Sequence, residues 1–232
     1  MPREEYFSQA LYTVDIGQND LTQWSFANTT AEDFVPRIIE LFTGVIKGIY
    51  EAGGRYFWIH NTGPLGCLTS TLARTEATRG GGGGLDSVGC AITYNELAQQ
   101  FNRMLNETVV KLRRDLPLAT LTYVDIYSVK YLLISQAEEY GFEDTFKACC
   151  GYGGGAYNYD PTKTCGYTAD INGTQVLLTK ACENPSKRIL WDGMHYSEAA
   201  NRWIAERIAT GEFSDPPSSP CSISIGRGSQ SS

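Results

Sequence analysis

Histidine is nearly absent from this sequence: two occur in 232 residues, His60 and His195. A mechanism that needs a cluster of imidazoles is thereby excluded. The seven cysteines contain no Cys-x-x-Cys pair, so a metal site of zinc-like spacing is not expected either. Long apolar runs are also missing, and none approaches the roughly 18 residues that a membrane span needs. Positive charge is in deficit. Nineteen Lys and Arg against 26 Asp and Glu leave a net charge of −7, which supplies no basic patch to neutralise phosphates and argues against a nucleic-acid binder. What is present is apolar material, 42% of residues, enough for the core of one domain or slightly more.

Cysteine and asparagine carry the next signals. The thiols are Cys67, Cys90, Cys149, Cys150, Cys165, Cys182 and Cys221. Three glycosylation triplets, headed by Asn28, Asn106 and Asn172, accompany them and favour a secreted, oxidising setting. Order alone does not determine the pairing. Cys67 and Cys90 are expected to close the loop between them, the other four up to Cys182 to pair among themselves, and Cys221 to be left over. Yet the chain opens Met-Pro-Arg-Glu-Glu, which has no apolar segment and is no signal peptide. The expectation is that the natural N-terminal part is missing.

Along the chain, residues 10–16 read as a strand running into the polar turn Gly17-Gln18-Asn19-Asp20. A helix is predicted over 31–52 from Phe34, Ile38, Leu41, Phe42, Val45, Ile46 and Ile49, with Gly53-Gly54 as its stop. Residues 56–60 form a second, aromatic strand, and 75–84, with five consecutive glycines, a flexible loop. Leu97, Phe101, Leu105, Val109 and Leu112 stripe a helix over 91–115 that Pro117 ends. A third strand at 121–126 and a short helix at 127–139 follow. The segment 148–190 reads as loop-rich and carries four cysteines. A last helix is expected over 197–209, capped by Ser197 and ended by Gly211. The domain is set at 1–213, and 214–232 reads as a disordered Ser/Pro/Gly tail. Strand alternating with helix is the pattern of an α/β fold with a parallel sheet, whose sites lie at the carboxyl ends of strands.

Two segments at such ends carry chemistry. In Trp191-Asp192-Gly193-Met194-His195 an Asp three residues before a His can hold one ring nitrogen and leave the other as a general base. An isolated Asp-x-x-His is most often only a loop hydrogen bond; here it involves one of two histidines, beside a helix entry. Gly17-Gln18-Asn19-Asp20 is an ordinary turn composition, or else an oxyanion contributor that pairs a carboxamide with a glycine-permitted backbone N–H.

Together these segments resemble the Gly-x-Asn-Asp and Asp-x-x-His blocks of the SGNH hydrolases. Ile59-His-Asn-Thr-Gly-Pro-Leu-Gly-Cys67, Tyr123-Val-Asp-Ile-Tyr127, Cys149-Cys-Gly-Tyr-Gly-Gly-Gly155 and His195-Tyr-Ser-Glu-Ala-Ala-Asn201 resemble the plant GDSL esterase/lipase branch. The resemblance covers residues 3–217. It implies a flavodoxin-like three-layer fold, a secretory route to the cell wall, and carboxylic-ester hydrolysis by a Ser-His-Asp mechanism that calls for no cofactor and no metal. His195 matches the base, Asp192 its orienting carboxylate and Asn19 the oxyanion amide, with Gly17 placed to line the substrate cleft. His60, which ends a strand at the same edge, could line that cleft too, but a structural hydrogen bond is its expected role. The family's Gly-Asp-Ser block and a second glycine-bearing block precede Gly-x-Asn-Asp. Only 16 residues precede Gly17 here, and neither block is among them.

Three further features attract a functional reading. Gly84-Leu85-Asp86-Ser87 echoes the nucleophile motif but follows a glycine run rather than a strand, so Ser87 is read as a loop or cap residue. The glycines at 151–155 lack the Lys-Ser/Thr of a phosphate loop. Tyr152, Tyr157 and Tyr159 form a platform that could stack on a sugar, or simply an exposed disulfide-tied loop. The resulting expectation is an ester hydrolase acting on acetylated cell-wall carbohydrate or acyl lipid in its full-length form. This chain would then be incomplete at its N-terminus, poorly stable alone and not labelled by serine probes. The competing expectation is a non-catalytic remnant that binds a glycan or a protein.

Overall fold

The computed structural model describes residues 4–23, 29–77 and 84–220. The chain divides into two compact units. One comprises the described residues of Met1–Gly63, Leu97–Val129 and Glu206–Ser232, the other those of Pro64–Glu96 and Lys130–Ala205.

The first unit holds the main sheet. After a short helix, α1 (Glu4–Phe7), comes β1 (Leu11–Asp15), then α2 (Gln18–Gln23), α3 (Ala31–Glu51) and β2 (Tyr56–His60). The long helix α5 (Ile92–Asp115), which follows α4 (Thr69–Ala77), leads to β3 (Thr120–Val124). β1, β2 and β3 are parallel neighbours, in register Asp15↔His60↔Val124 at their carboxyl ends. The fold is α/β, as the alternation of strands and helices predicts.

The sheet does not end at β3. Ser214 and Asp215 form β6, antiparallel to Val124 and Tyr123. Arg113 fixes this strand by an ion pair of 2.8 Å to Asp215 and a hydrogen bond to the Leu121 carbonyl. The head of the Ser/Pro/Gly segment is therefore ordered strand; its remainder from 221, including Cys221, lies outside the described residues.

α3 begins where Thr30 accepts the Asp33 N–H, a side-chain cap that satisfies one of the first-turn donors. Its core-facing stripe is Val35, Ile39, Phe42 and Ile46, at i, i+4, i+7, i+11. The predicted set mixed this stripe with its neighbour. Leu41 and Val45 are 73% and 56% exposed, because α3 carries two adjacent apolar stripes and periodicity alone cannot say which one faces inward. Burial of each stripe residue contributes about 1.5–3 kcal/mol. α5 matches its prediction: Leu97, Phe101, Leu105, Val109 and Leu112 are all buried.

The second unit carries α4, whose last residues Thr75–Ala77 extend the helix into the predicted loop. Residues 78–83, which include four of the five glycines, lie outside the described residues. α6 (Ile126–Ser135) reaches into this unit and is shorter than predicted, dissolving into turns over 136–141. The cysteine-rich segment is not all loop. β4 (Thr168–Ile171) and β5 (Thr174–Leu177) form an antiparallel hairpin across Asn172-Gly173, whose φ angles of +54° and +81° suit a tight two-residue turn. Three disulfides bind the unit: Cys67–Cys90, Cys149–Cys182 and Cys150–Cys165. α7 (Glu198–Ile208) starts at buried Ser197, whose Oγ accepts the Ala200 N–H and donates to the Arg188 carbonyl.

Candidate active site

In the second unit, the segment Leu190–Tyr196 is a narrow arch closed by a bridge between its two end residues, with the Trp191 N–H bonded to the His195 carbonyl at 2.8 Å. The adjacent half-cystines grip one side of it. The N–H groups of Cys149 and Cys150 donate to the carbonyls of Leu190 and Trp191. Ser70 holds the tip by donating to the Gly193 carbonyl at 2.9 Å. Gly193 is required sterically, since a Cβ there would run into the Tyr159 ring.

Asp192 organises the arch internally. Its Oδ1 accepts the N–H groups of Met194 and His195, both at 2.8 Å, and its Oδ2 lies 2.8 Å from His195 Nδ1. Burial alone would raise the Asp192 carboxyl, but the two N–H donors and the His195 ring outweigh it and hold the pKa below the ordinary 3.8. An ionised carboxylate only accepts, so Nδ1 of the neutral ring must carry the proton and Nε2 the lone pair. With the His195 side chain 70% exposed, that lone pair is available to an incoming hydroxyl.

In the first unit, β1 runs out at Gly17, whose φ is +109° and whose Cβ, if present, would lie 2.8 Å from Phe101 Cζ. Both facts restrict the position to glycine. The predicted polar turn is instead the start of α2, so Asn19 sits in a helical first turn with its carboxamide exposed. His60 ends β2 beside Asp15, the last residue of β1. It is 8% exposed and packs edge-on against Trp58 at 4.6 Å, which places it under the strand end rather than on an open surface.

Residues 1–208 match the family model for GDSL-like lipase/acylhydrolase. The chain belongs to that family. It is 52% identical over 221 residues to a GDSL esterase/lipase, ACHE, of Zea mays and 50% identical over 220 to an esterase of Hevea brasiliensis, in each case across 94% of this chain. A protein named alpha-L-fucosidase 3 of Arabidopsis thaliana is 47% identical over 214 residues, 91% of this chain. These alignments take in 55%, 54% and 56% of the respective relatives, so the chain spans about half the length of the curated relatives it matches.

The other predicted site residues of this GDSL chain are dispersed. Asn28 lies outside the described residues; Asn106 is exposed on α5, and Asn172 is exposed at the hairpin turn. Ser87 occupies the turn in which Asp86 accepts from Val88, Gly89 and Cys90 N–H and from the Tyr131 hydroxyl. Burial pushes the Asp86 carboxyl up, and those four donors together bring it below its ordinary value. Asp86 braces the Cys67–Cys90 loop, and Ser87 is a turn residue in it.

Asn61, within the Ile59–Cys67 motif, is a further polar residue at this sheet edge. Asn61 follows His60 and is 2% exposed. Its Nδ2 donates to the Tyr123 hydroxyl and to Asp125 Oδ1, both at 2.9 Å, and its Oδ1 accepts the Tyr127 N–H at 2.8 Å. Burial, with the Asp125 charge adding to it, pushes the Tyr123 hydroxyl up to about 12 despite the Asn61 bond. Buried Asn102 exchanges two hydrogen bonds of 2.9 Å with the backbone of Thr62. A polar residue directly after an apolar parallel strand was the available signal, because buried amides must be paired.

Proposed function

We propose that this chain supplies the base and oxyanion elements of carboxylic-ester hydrolysis. The observation that carries the proposal is the 2.8 Å contact between Asp192 Oδ2 and His195 Nδ1, in an arch pinned by backbone bonds on both sides. His195 Nε2 takes the proton from a serine hydroxyl as the oxygen attacks the ester carbonyl, and Asp192 stabilises the imidazolium that forms. His195 then returns the proton to the leaving alkoxide. Water repeats the cycle on the acyl-enzyme. Asn19, with the backbone N–H of Gly17 beside it, is assigned to the developing oxyanion.

No Gly-Asp-Ser triplet occurs in the 232 residues, so the attacking serine is assigned to such a triplet joined to this chain. Acetylated cell-wall carbohydrate and acyl lipid are the proposed substrate classes. Three disulfides support an extracellular, oxidising location.

The test is hydrolysis of p-nitrophenyl acetate, p-nitrophenyl laurate and acetylated xylan by this chain fused to the Gly-Asp-Ser segment of its Zea mays relative. Release of product, with His195→Ala lowering kcat about a thousandfold or more at unchanged melting temperature, upholds the reading. A folded fusion as active with His195→Ala as without it overturns it. The missing triplet also favours a second reading, a binding module without hydrolysis. Labelling of the unfused chain by an organophosphonate serine probe would argue against that reading and against the assignment of Ser87 to a turn.

A further inference from the structure

A cleft of about 380 Å³ opens in the first unit at the carboxyl ends of β2 and β3. Ligands of parallel α/β sheets bind at such ends, and the volume lies in the range of small-molecule sites. Its floor is the buried network of Asn61, Tyr123 and Asp125 described above. Because Asn61 fixes Asp125 and the Tyr127 backbone together, the floor is rigid before any ligand arrives. Its wall is the α5 face bearing Gln99, Arg103 and Asn106. Gln99 donates to the Tyr127 hydroxyl at 2.8 Å, whereas Arg103 has no ion-pair or hydrogen-bond partner among the described residues.

The composition selects the ligand. One carboxylate, Asp125, and one guanidinium, Arg103, sit in a lining otherwise made of amides, the Ser128 hydroxyl and the rings and hydroxyls of Tyr123 and Tyr127. An anion would be repelled by Asp125 and a cation by Arg103. An apolar group would strip water from several polar side chains without replacing their bonds. A neutral ligand whose hydroxyls donate and accept at once satisfies both. We infer that this cleft is a saccharide site, taking a pyranose of a neutral oligosaccharide between Arg103 and Asp125. It does not depend on the ester-hydrolase reading. Asn106, in its lining, also heads a glycosylation triplet, so the sugar has two candidate sources, an oligosaccharide in solution and a glycan attached to the chain itself.

The full chain made in bacteria, and so without N-glycans, is titrated calorimetrically with xylohexaose, cellohexaose, mannohexaose and hexagalacturonate. At least one of the three neutral hexaoses is expected to bind. Arg103→Ala and Asn106→Ala, both at exposed helix positions, are each expected to weaken it about tenfold to a hundredfold, as loss of a hydrogen bond to a charged or amide donor does. His195→Ala is expected to bind as the wild type, which separates this site from ester chemistry. Chain made in plant cells distinguishes the two sources: exclusion of the hexaose from protein glycosylated at Asn106 assigns the cleft to the attached glycan, and undiminished binding assigns it to free sugar. Failure of all three neutral hexaoses to bind, preference for hexagalacturonate, or binding indifferent to Arg103→Ala and Asn106→Ala overturns the inference.

Discussion

At the scale of single residues, the two oxygens of Asp192 have separate tasks. Oδ1 shapes the arch through two backbone N–H groups, and Oδ2 orients the His195 ring. Asp192→Asn keeps most of the shape but presents the ring with an amide that can also donate. In the serine-bearing fusion it is expected to lower kcat by about a hundredfold to ten-thousandfold at nearly unchanged KM, read from steady-state kinetics. The same carboxylate links stability to pH. Its folded pKa lies below the ordinary 3.8, so the stability it contributes is present above that value and is lost as pH falls through the lower folded value. Urea midpoints measured from pH 5 to pH 2 should therefore fall less steeply in Asp192→Asn than in the wild type. Equal slopes would show that the carboxylate contributes nothing. The Asp192–His195 pair was legible in the sequence because both partners lie within four residues of each other. Asn61 was not, since its partners Tyr123, Asp125 and Tyr127 are more than sixty residues away and only the parallel register of β2 with β3 brings them near.

Among the elements, legibility follows how strongly local pattern dictates structure. β2 and α5 were readable from an aromatic run and from one clean apolar stripe. α3 was readable as a helix but not in orientation, because two stripes compete. The β4–β5 hairpin was hidden by its exposed, weakly apolar strands, and its Asn172-Gly173 turn is the only short-range signal it offers. β6 was missed because two residues in a Ser/Pro context give no periodicity at all. The adjacent half-cystines matter most for function, since their backbone N–H groups hold Leu190 and Trp191. Replacement of Cys149 and Cys182 by Ala is expected to destabilise the folded chain by about 2–5 kcal/mol in urea unfolding. It should also raise hydrogen exchange over 190–195 relative to α5. Unchanged exchange in the arch would separate the disulfide from the dyad.

For the whole molecule, the unevenness of its surface is the leading property. β1 is paired on one side only among the described residues, and Ile16 just beyond it is 56% exposed. On α3, Leu41 and Val45 add a second exposed apolar set. Unpaired strand edges and contiguous apolar surface favour association, and the net charge of −7 opposes it only away from the isoelectric point near 4.9. Sedimentation velocity at neutral pH is expected to show self-association that Leu41→Lys combined with Val45→Glu reduces. The melting temperature should change little, because neither side chain is in the core. A wild-type chain that sediments as a sharp monomer at high concentration would contradict this.

Asp192 is expected to hold His195 with Nδ1 protonated and Nε2 bare. With two histidines in the chain, long-range 15N–1H correlation of the imidazoles at alkaline pH, where the rings are neutral, reads this directly, and His195→Ala identifies which set is which. The predicted spectrum shows a pyrrole-type Nδ1 and a pyridine-type Nε2 for His195, an assignment that Asp192→Asn weakens or reverses. A His195 ring protonated at Nε2 in the wild type would contradict the account, because the nitrogen needed as base would already hold its proton.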